Sequence, residues 1–265
     1  MKTQVIPFDS QAAYFDDRAG FKPGIAQQIA KNILTYANVS AGETILEIGA
    51  GTGEIGQWLA RSDLQYIGMD SSNGMLDMFR SRVGSESSAK LIHADANKSW
   101  PIEEKVRLIF GSRVFHLLDN EHVLSEISRL QNPNGTFLVM GKVKRKDDSI
   151  KRQIRQKMRT LLAQTGHEPR QGDEIRSNLL KKAVSLGATF LEPLEAATWT
   201  TMHRPIDSLL SWQNKESMAG IIPSDSSKKE VLDELKAWAT KEFGNLEQEV
   251  ETMETYTLEG VCFKR

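Results

Sequence analysis

Apolar residues in the first half of the chain form short continuous runs, separated by stretches in which they recur every three or four positions. Such runs are typical of buried strands, and the spaced stretches are typical of amphipathic helices. The runs predict strands at 43–48, 66–69, 90–93, 106–110 and 136–140. Helices are predicted between them at 54–61, 74–83 and 120–130. Strands that alternate with helices in this way indicate a parallel sheet with helices on its faces.

The pattern changes after Gly141. Longer helical patterns follow at 145–164, 173–186, 206–218 and 226–243, and extended segments are predicted at 189–201 and 255–263. In the first of these helices, Ile150, Ile154 and Met158 share one face. Another helical pattern covers 8–38, before the first strand.

Composition restricts the possible classes of protein. A chain of 265 residues is long enough to bury a full core, and a net charge of -1 gives no electrostatic indication of a nucleic-acid partner. Cys262 is the single cysteine, which excludes an intrachain disulfide and a cysteine-based metal site. The N-terminal residues lack the apolar run of a signal peptide, and no apolar stretch is long enough to span a bilayer. We therefore expect a soluble, cytoplasmic protein.

A glycine-rich segment, Gly49-Ala50-Gly51-Thr52-Gly53, follows the first predicted strand directly. Glycines allow the chain to turn sharply and leave no Cβ between the main chain and a ligand. A single match of this kind also fits a tight turn that binds nothing.

Two aspartates at later strand ends strengthen the signal. Asp70 ends the second predicted strand, where a carboxylate accepts from the hydroxyls of a ribose, and Asp95 follows the third, where it accepts from an adenine amine. Either aspartate alone would be weak evidence, because a carboxylate often ends a strand by chance. Together with the glycine segment, at the ends of successive strands, they indicate an adenosine-binding site.

These residues lie in segments that resemble class I S-adenosylmethionine-dependent methyltransferases, and specifically the small-molecule group related to the quinone-biosynthesis C-methyltransferases (methyltransferase type 11). The resemblance is carried by residues 46–53, 68–76, 93–96, 112–119 and 130–136. It implies a Rossmann-like, doubly wound α/β fold with a mostly parallel seven-stranded sheet and a helical cap. It also implies S-adenosylmethionine as cofactor, S-adenosylhomocysteine as product, and an O, N or C atom of a small molecule as methyl acceptor.

On this resemblance we divide the chain into three parts: an N-terminal helical lid (1–40), an S-adenosylmethionine-binding core (41–141), and a completion of the sheet (142–265). Helical insertions at about 142–170 and 204–245 would cap the core. One departure from the family lies at Pro133-Asn134-Gly135, where many relatives carry Pro-Gly-Gly. Asparagine tolerates a left-handed backbone, so we expect the turn to be kept.

The resemblance also implies roles for individual residues. Glu47 would orient the glycine segment and the cofactor amino group, while Gly49 and Gly51 would line the methionine moiety. Ser112 would lie under the sulfonium. The remaining cofactor-binding candidates in the core are Asp70 at the ribose, Met75 against adenine, Asp95 and Ala96 at the base edge, and Ala50, Thr52 and Ser71 within the motifs. In the N-terminal lid, Tyr14 would close over the methionine end of the cofactor. Arg18 would pair with the carboxylate of that end.

His116, just after the fourth predicted strand, is the candidate catalytic residue, because the near-neutral intrinsic pKa of histidine suits general-base work. A packing role fits this position better, and an activated methyl group does not always require a base. His203 and Arg204 form a second candidate pair for the acceptor pocket. No histidines show the spacing of metal ligands, so we expect no metal site.

Two other classes of protein remain open. Asp70 would serve the ribose of NAD equally well in an NAD(P)-dependent oxidoreductase, although Asp95 and Ala96 then have no role. A non-catalytic S-adenosylmethionine-binding protein also fits. The basic stretch 142–159 lacks interleaved aromatics, which does not favour a nucleic-acid acceptor. Apolar residues of the cap would line an acceptor pocket or pack a small core; they are Trp199, Trp212, Trp238 and Met218.

Overall fold

A computed structural model describes residues 21–85, 87–168, 171–215 and 217–264. Tyr14, Arg18 and the first part of the predicted lid lie outside these ranges. The chain divides into two compact units. The first holds the described residues of Met1–Lys142, Gly172–Ala197 and Tyr256–Arg265, and the second holds those of Val143–Gln171 and Thr198–Thr255.

A seven-stranded sheet forms the framework of the described chain, in the order β3-β2-β1-β4-β5-β7-β6. Its strands are β1 Thr44–Ile48, β2 Gln65–Asp70, β3 Lys90–His93, β4 Leu108–Ser112, β5 Thr136–Arg145, β6 Thr189–His203 and β7 Val250–Phe263. The first five strands pair in parallel. Their carboxyl ends therefore share one edge of the sheet, and the predicted Rossmann-like α/β fold is confirmed.

The last strand, β7, runs antiparallel to β5, as the β7 atoms that lie near Gly135 and Gly141 show. A Cβ placed on Gly135, just before β5, would lie 2.9 Å from the carbonyl oxygen of Phe263, at the end of β7. A Cβ on Gly141, further along β5, would instead meet the side chain of Tyr256. Residue numbers rise along one strand as they fall along its neighbour.

Helices connect the strands. They are α1 Ile25–Tyr36, α2 Gly56–Leu59, α3 Asn73–Val83, α4 Asn120–Leu130, α5 Ile150–Gln164, α6 Gly172–Ser185, α7 Pro205–Gln213 and α8 Asp225–Phe243, with a 3-10 helix at Phe115–Leu117. Ser72 caps α3 by accepting from the Met75 N–H at 3.2 Å, and Asp119 caps α4 by accepting from the His122 N–H at 2.8 Å. Such caps satisfy backbone donors that the first helical turn leaves unpaired.

Several predicted boundaries are wrong. The fifth strand extends to Arg145, so the helix expected from 145 begins at Ile150. Pairing with β7 overrides the helical propensity of the basic residues there. The helix expected over 206–218 ends at Gln213, and Met218 instead pairs with Ile221 in an isolated bridge. The helix expected over 54–61 is limited to α2, and the closing strand begins five residues earlier, at Val250.

The second unit has its own apolar core. It joins Ile154 and Met158 of α5 to Val231 and Leu235 of α8, so the predicted apolar stripe is buried. Trp212 and Trp238 pack against this core as partly buried residues, and Met218 lies inside it; these contacts give the three a packing role. None of the helices in the described ranges combines the length and the apolar character that crossing a bilayer requires.

Candidate functional site

The glycine segment lies at the carboxyl end of β1 and is tied to the end of β2. The backbone N–H groups of Gly49 and Ala50 donate to the carbonyl oxygen of Met69 at 2.8 and 3.1 Å. The N–H of Gly51 donates to the Oδ2 atom of Asp70 at 2.8 Å. The aspartate predicted to hold a ribose therefore also fixes the glycine segment.

The three glycines of this segment have left-handed φ angles but different surroundings. A Cβ on Gly49 would lie 2.7 Å from the Val114 side chain, and one on Gly53 would lie 2.1 Å from the Phe79 ring. A Cβ on Gly51 would meet nothing closer than the carbonyl oxygen of Gly49, at 4.0 Å. Gly51 is therefore the loop glycine beside which a ligand can approach the main chain. The intervening residues, Ala50 and Thr52, have buried side chains.

The Asp70 carboxylate accepts from several backbone N–H groups. Besides the Gly51 N–H at Oδ2, its Oδ1 atom takes the Ser72 N–H at 2.9 Å, and the Ser71 N–H also contributes. Burial raises its pKa, and these N–H donors together with the nearby His93 oppose that rise. A carboxylate has about four acceptor positions, so room remains for a hydroxyl donor of a ligand. Of its neighbours, Ser71 is exposed, whereas Met75 is only 3% exposed within α3.

Asp95 and Ala96 follow β3, next to the end of β2. Strand pairing places Asp70 opposite His93, which precedes them by two positions. Asp95 is exposed, and its Oδ1 atom accepts from the Asn97 N–H at 2.9 Å. Ala96 packs partly buried against the core. The structure therefore brings the two predicted carboxylates to neighbouring strand ends.

Glu47 lies in the interior and not at the open edge of the sheet. Its side chain is buried, and its Oε2 atom accepts from the Tyr66 hydroxyl at 2.6 Å. A Cβ on Gly56, at the start of α2, would lie 2.7 Å from the same oxygen. Burial raises the pKa of Glu47 to about 8; the Tyr66 hydrogen bond opposes this shift, and the charge of Asp70 adds to it. Glu47 therefore carries its proton at neutral pH.

This protonated carboxyl makes the free energy of unfolding depend on pH. Between the unfolded pKa near 4.5 and the folded value near 8, the native state holds a proton that the unfolded state has released. The contribution of Glu47 to the free energy of unfolding is thus fully present below pH 4.5. It is lost as the pH rises to 8, with a slope of up to about 1.4 kcal/mol per pH unit. Urea unfolding at pH 5, 6.5 and 8 should show this loss in the wild type and a flatter profile in Glu47→Gln. Parallel profiles for the two proteins would contradict the assignment.

At the carboxyl end of β4, Ser112 is held by a tyrosine from the last strand. The Tyr256 hydroxyl donates to the Ser112 Oγ at 2.7 Å, and burial raises the pKa of Tyr256. The glycine at position 141 leaves room for this tyrosine, because a Cβ on Gly141 would lie 1.9 Å from the hydroxyl oxygen of Tyr256. The Phe21 ring meets the Tyr256 ring edge-on, with centroids 5.6 Å apart. Tyr256 was not predicted as a site residue, because in the sequence it looks like an ordinary strand residue.

Two charged residues at this edge were also missed. Arg113 follows Ser112 with a φ of 60°, and its guanidinium lies 5.9 Å from the centroid of the Phe21 ring. Glu54 follows the last glycine of the loop, and its Oε1 atom accepts from the Phe21 N–H. The position of Glu54 directly after the glycine segment was a sequence signal that could have identified it. The left-handed backbone of Arg113 leaves no signal in the sequence.

The histidine candidates belong to different units. His116 is half-buried in the 3-10 helix of the first unit, and its Cβ would lie 3.2 Å from a Cβ on Gly172, so its stem packs at the start of α6. His203 is buried in the second unit with its Nε2 atom 2.9 Å from the Ser208 Oγ. Burial above all lowers the pKa of His203 to about 4. Arg204 pairs with Asp207 at 2.7 Å.

The described part of the chain contains no group of three or more His, Cys, Asp or Glu side chains that could hold a metal ion.

Residues 45–135 match a protein-family model described as a methyltransferase domain. The chain is 32% identical over 103 residues to a demethylmenaquinone methyltransferase of Clavibacter sepedonicus, covering 37% of this chain and 41% of that protein. It is 26% identical over 142 residues to the methyltransferase GfsG of Streptomyces halstedii, covering 48% of each. The chain spans about half, or less, of the length of these curated relatives.

A solved S-adenosylmethionine-dependent methyltransferase of Thiobacillus denitrificans, in complex with S-adenosyl-L-homocysteine, has the same fold. The TM-score is 0.55 with 16% sequence identity, over 99% of this chain and 100% of that chain. The match to the family model and the curated relatives confirm the resemblance to methyltransferases inferred from the motifs, and the solved structure shows the same fold.

Proposed function

We propose that this protein is an S-adenosylmethionine-dependent methyltransferase that transfers a methyl group to an O, N or C atom of a small-molecule acceptor. One observation carries the proposal: within a methyltransferase domain, the main chain at Gly51 is open to a ligand and lies beside the carboxylate of Asp70.

The residues at this edge fit the nucleoside part of that cofactor. Asp70 would accept from the ribose hydroxyls with the acceptor capacity that its backbone donors leave available. Asp95 and Ala96 would lie at the edge of the base. S-Adenosylmethionine, when bound, supplies a methyl carbon that is already activated by a positively charged sulfonium.

The protein then has to align the acceptor, exclude water and, for some acceptors, remove a proton. Alignment alone accounts for roughly 7–11 kcal/mol of the barrier in favourable cases. The hydroxyl pair of Ser112 and Tyr256 provides a fixed polar wall at the end of β4. His116, in the same unit, would take a proton from an acceptor that has one to lose.

A thermal-shift series with S-adenosylhomocysteine tests the proposal. The wild type should be stabilised, since a ligand that binds only the folded state raises the melting temperature. Asp70→Ala should lose this stabilisation because the ribose loses its acceptor, and Asp70→Asn, which keeps an oxygen for the Gly51 N–H, should retain only part of it. Asp77→Ala is a matched control, since Asp77 is exposed on α3 and, among the described residues, forms its ion pair with Arg80.

The same series separates the competing classes. Stabilisation by NADH without stabilisation by S-adenosylhomocysteine would support an oxidoreductase and reject the proposal. An Asp70→Ala protein that keeps the full S-adenosylhomocysteine shift would show that the ribose binds elsewhere. If the cofactor binds but a broad screen of small-molecule acceptors yields no methylated product, a non-catalytic binding protein is the better description.

A further inference from the structure

Arg113 occupies a backbone position that is costly for an arginine. Its φ of 60° lies in the left-handed region, where a side chain crowds the main chain and glycine or asparagine is much less strained. The Arg113 N–H donates to the carbonyl oxygen of Gly141 at 3.1 Å, which helps to hold this conformation. Strained residues that persist in a folded protein concentrate at functional sites. The position of Arg113 therefore suggests a use for its side chain.

The guanidinium of Arg113 lies among groups at the carboxyl edge of the sheet. It is near the Phe21 ring, and its positive charge lowers the pKa of both Glu54 and Tyr256, against the larger effect of burial. Glu54 comes one position after Gly53, the last glycine of the loop. A positive and a negative side chain are thus close to each other and to the proposed ligand-binding backbone.

Only one of the two carboxylate oxygens of Glu54 has a hydrogen-bond partner among the described residues. One carboxylate oxygen accepts from the Phe21 N–H, whereas the other, Oε2, is buried and has no hydrogen-bond partner among the described residues. Leaving a buried acceptor unpaired is unfavourable, and such an atom calls for an explanation. A donor on a bound ligand would satisfy it.

Glu47, the carboxyl that the family resemblance assigns to the cofactor amino group, is not available for that contact. It lies under the start of α2, bonded to Tyr66, and is protonated at neutral pH. Glu54 is the next acidic residue along the chain, and both Glu54 and Arg113 contact Phe21.

We propose that Arg113 and Glu54 bind the amino-acid end of the cofactor, with the guanidinium pairing with its carboxylate and the Glu54 carboxylate accepting from its ammonium group. The ligand end that carries both charges would then meet two side chains of opposite charge. This inference rests on the proposed function, since it concerns the same site.

Calorimetry with two ligands tests the inference. S-Adenosylhomocysteine carries the amino-acid end, whereas 5′-methylthioadenosine has the same nucleoside and sulfur without it. Arg113→Asn keeps a residue that tolerates the left-handed backbone, and Glu54→Gln is nearly isosteric. Each variant should weaken S-adenosylhomocysteine binding by about 10- to 100-fold, as expected for a lost charge-assisted hydrogen bond, and change 5′-methylthioadenosine binding by less than about twofold.

Arg61→Asn is the matched control, because Arg61 is exposed and also lies over an aromatic ring, that of Trp58 at 5.1 Å. It should bind both ligands as the wild type does. The melting temperature of ligand-free Arg113→Asn should be unchanged or higher, since backbone strain is relieved; a purely structural arginine would give the opposite. Unchanged S-adenosylhomocysteine affinity in both variants, or equal weakening of both ligands, would overturn the inference. A wild-type protein that binds neither ligand would instead reject the proposed function.

Discussion

Gly51→Ala is expected to weaken S-adenosylhomocysteine binding severely while the protein stays folded. The new methyl group would project into the space beside the loop, where the nearest atom is 4.0 Å away, and would exclude the ligand from the main chain. The left-handed φ of 56° adds a cost of about 1–2 kcal/mol to folding, which most proteins of this size tolerate. Affinity should fall by roughly 100-fold or more, equivalent to about 2.7 kcal/mol or more. Calorimetry and thermal melting measure the two effects separately.

Gly42→Ala provides a closely matched control. Gly42 has a φ of 80°, no atom lies within 4 Å of the Cβ it would gain, and it precedes β1 at the opposite end from the loop. It should therefore lose a similar amount of stability and no affinity. If Gly51→Ala bound S-adenosylhomocysteine as well as Gly42→Ala does, the ligand would not approach the backbone at Gly51.

Gly53→Ala is expected to have the largest effect on stability. Its Cβ would lie 2.1 Å from the ring of Phe79, which is fully buried, so the ring or the loop must move. Overpacking of this kind costs about 1–3 kcal/mol, and the left-handed φ of 78° adds about 1–2 kcal/mol. For a chain of this length, we expect the melting temperature to fall by roughly 10 °C.

The clash itself can be tested by a double-mutant cycle. In a Phe79→Leu background the ring is absent, so Gly53→Ala should cost clearly less than in the wild type. The coupling energy from urea unfolding should then be of the order of 1 kcal/mol or more. Additive effects of the two substitutions would show that Phe79 is not what Gly53 has to avoid.

Local signals were sufficient for much of the first unit. The strand Lys90–His93 and the helix Asn120–Leu130 have the predicted boundaries, because a polar segment and an N-capping Asp119 delimit them. The loop at 49–53 and Asp70 were predicted at strand ends, and the structure joins them by a hydrogen bond. Each of these depends on residues that are close in sequence.

The parts that were missed depend on partners far along the chain. Every residue of β1 is buried, so no alternation of polar and apolar positions shows towards which face Glu47 points. Tyr256 reaches Ser112 across 144 positions, and only the absence of a Cβ at Gly141 makes room for it. The extension of β5 to Arg145 likewise depends on its neighbour β7.

The sheet order also has a consequence for synthesis on the ribosome. The first unit takes Tyr256 and the strand residues after it from a part of the chain that is translated only after the whole of Thr198–Thr255. While that stretch emerges, β5 is exposed on one side, because its neighbour β7 has yet to be made. The first unit can therefore complete its sheet only after the segment Thr198–Thr255 has been translated, and the edge of β5 stays unpaired until then.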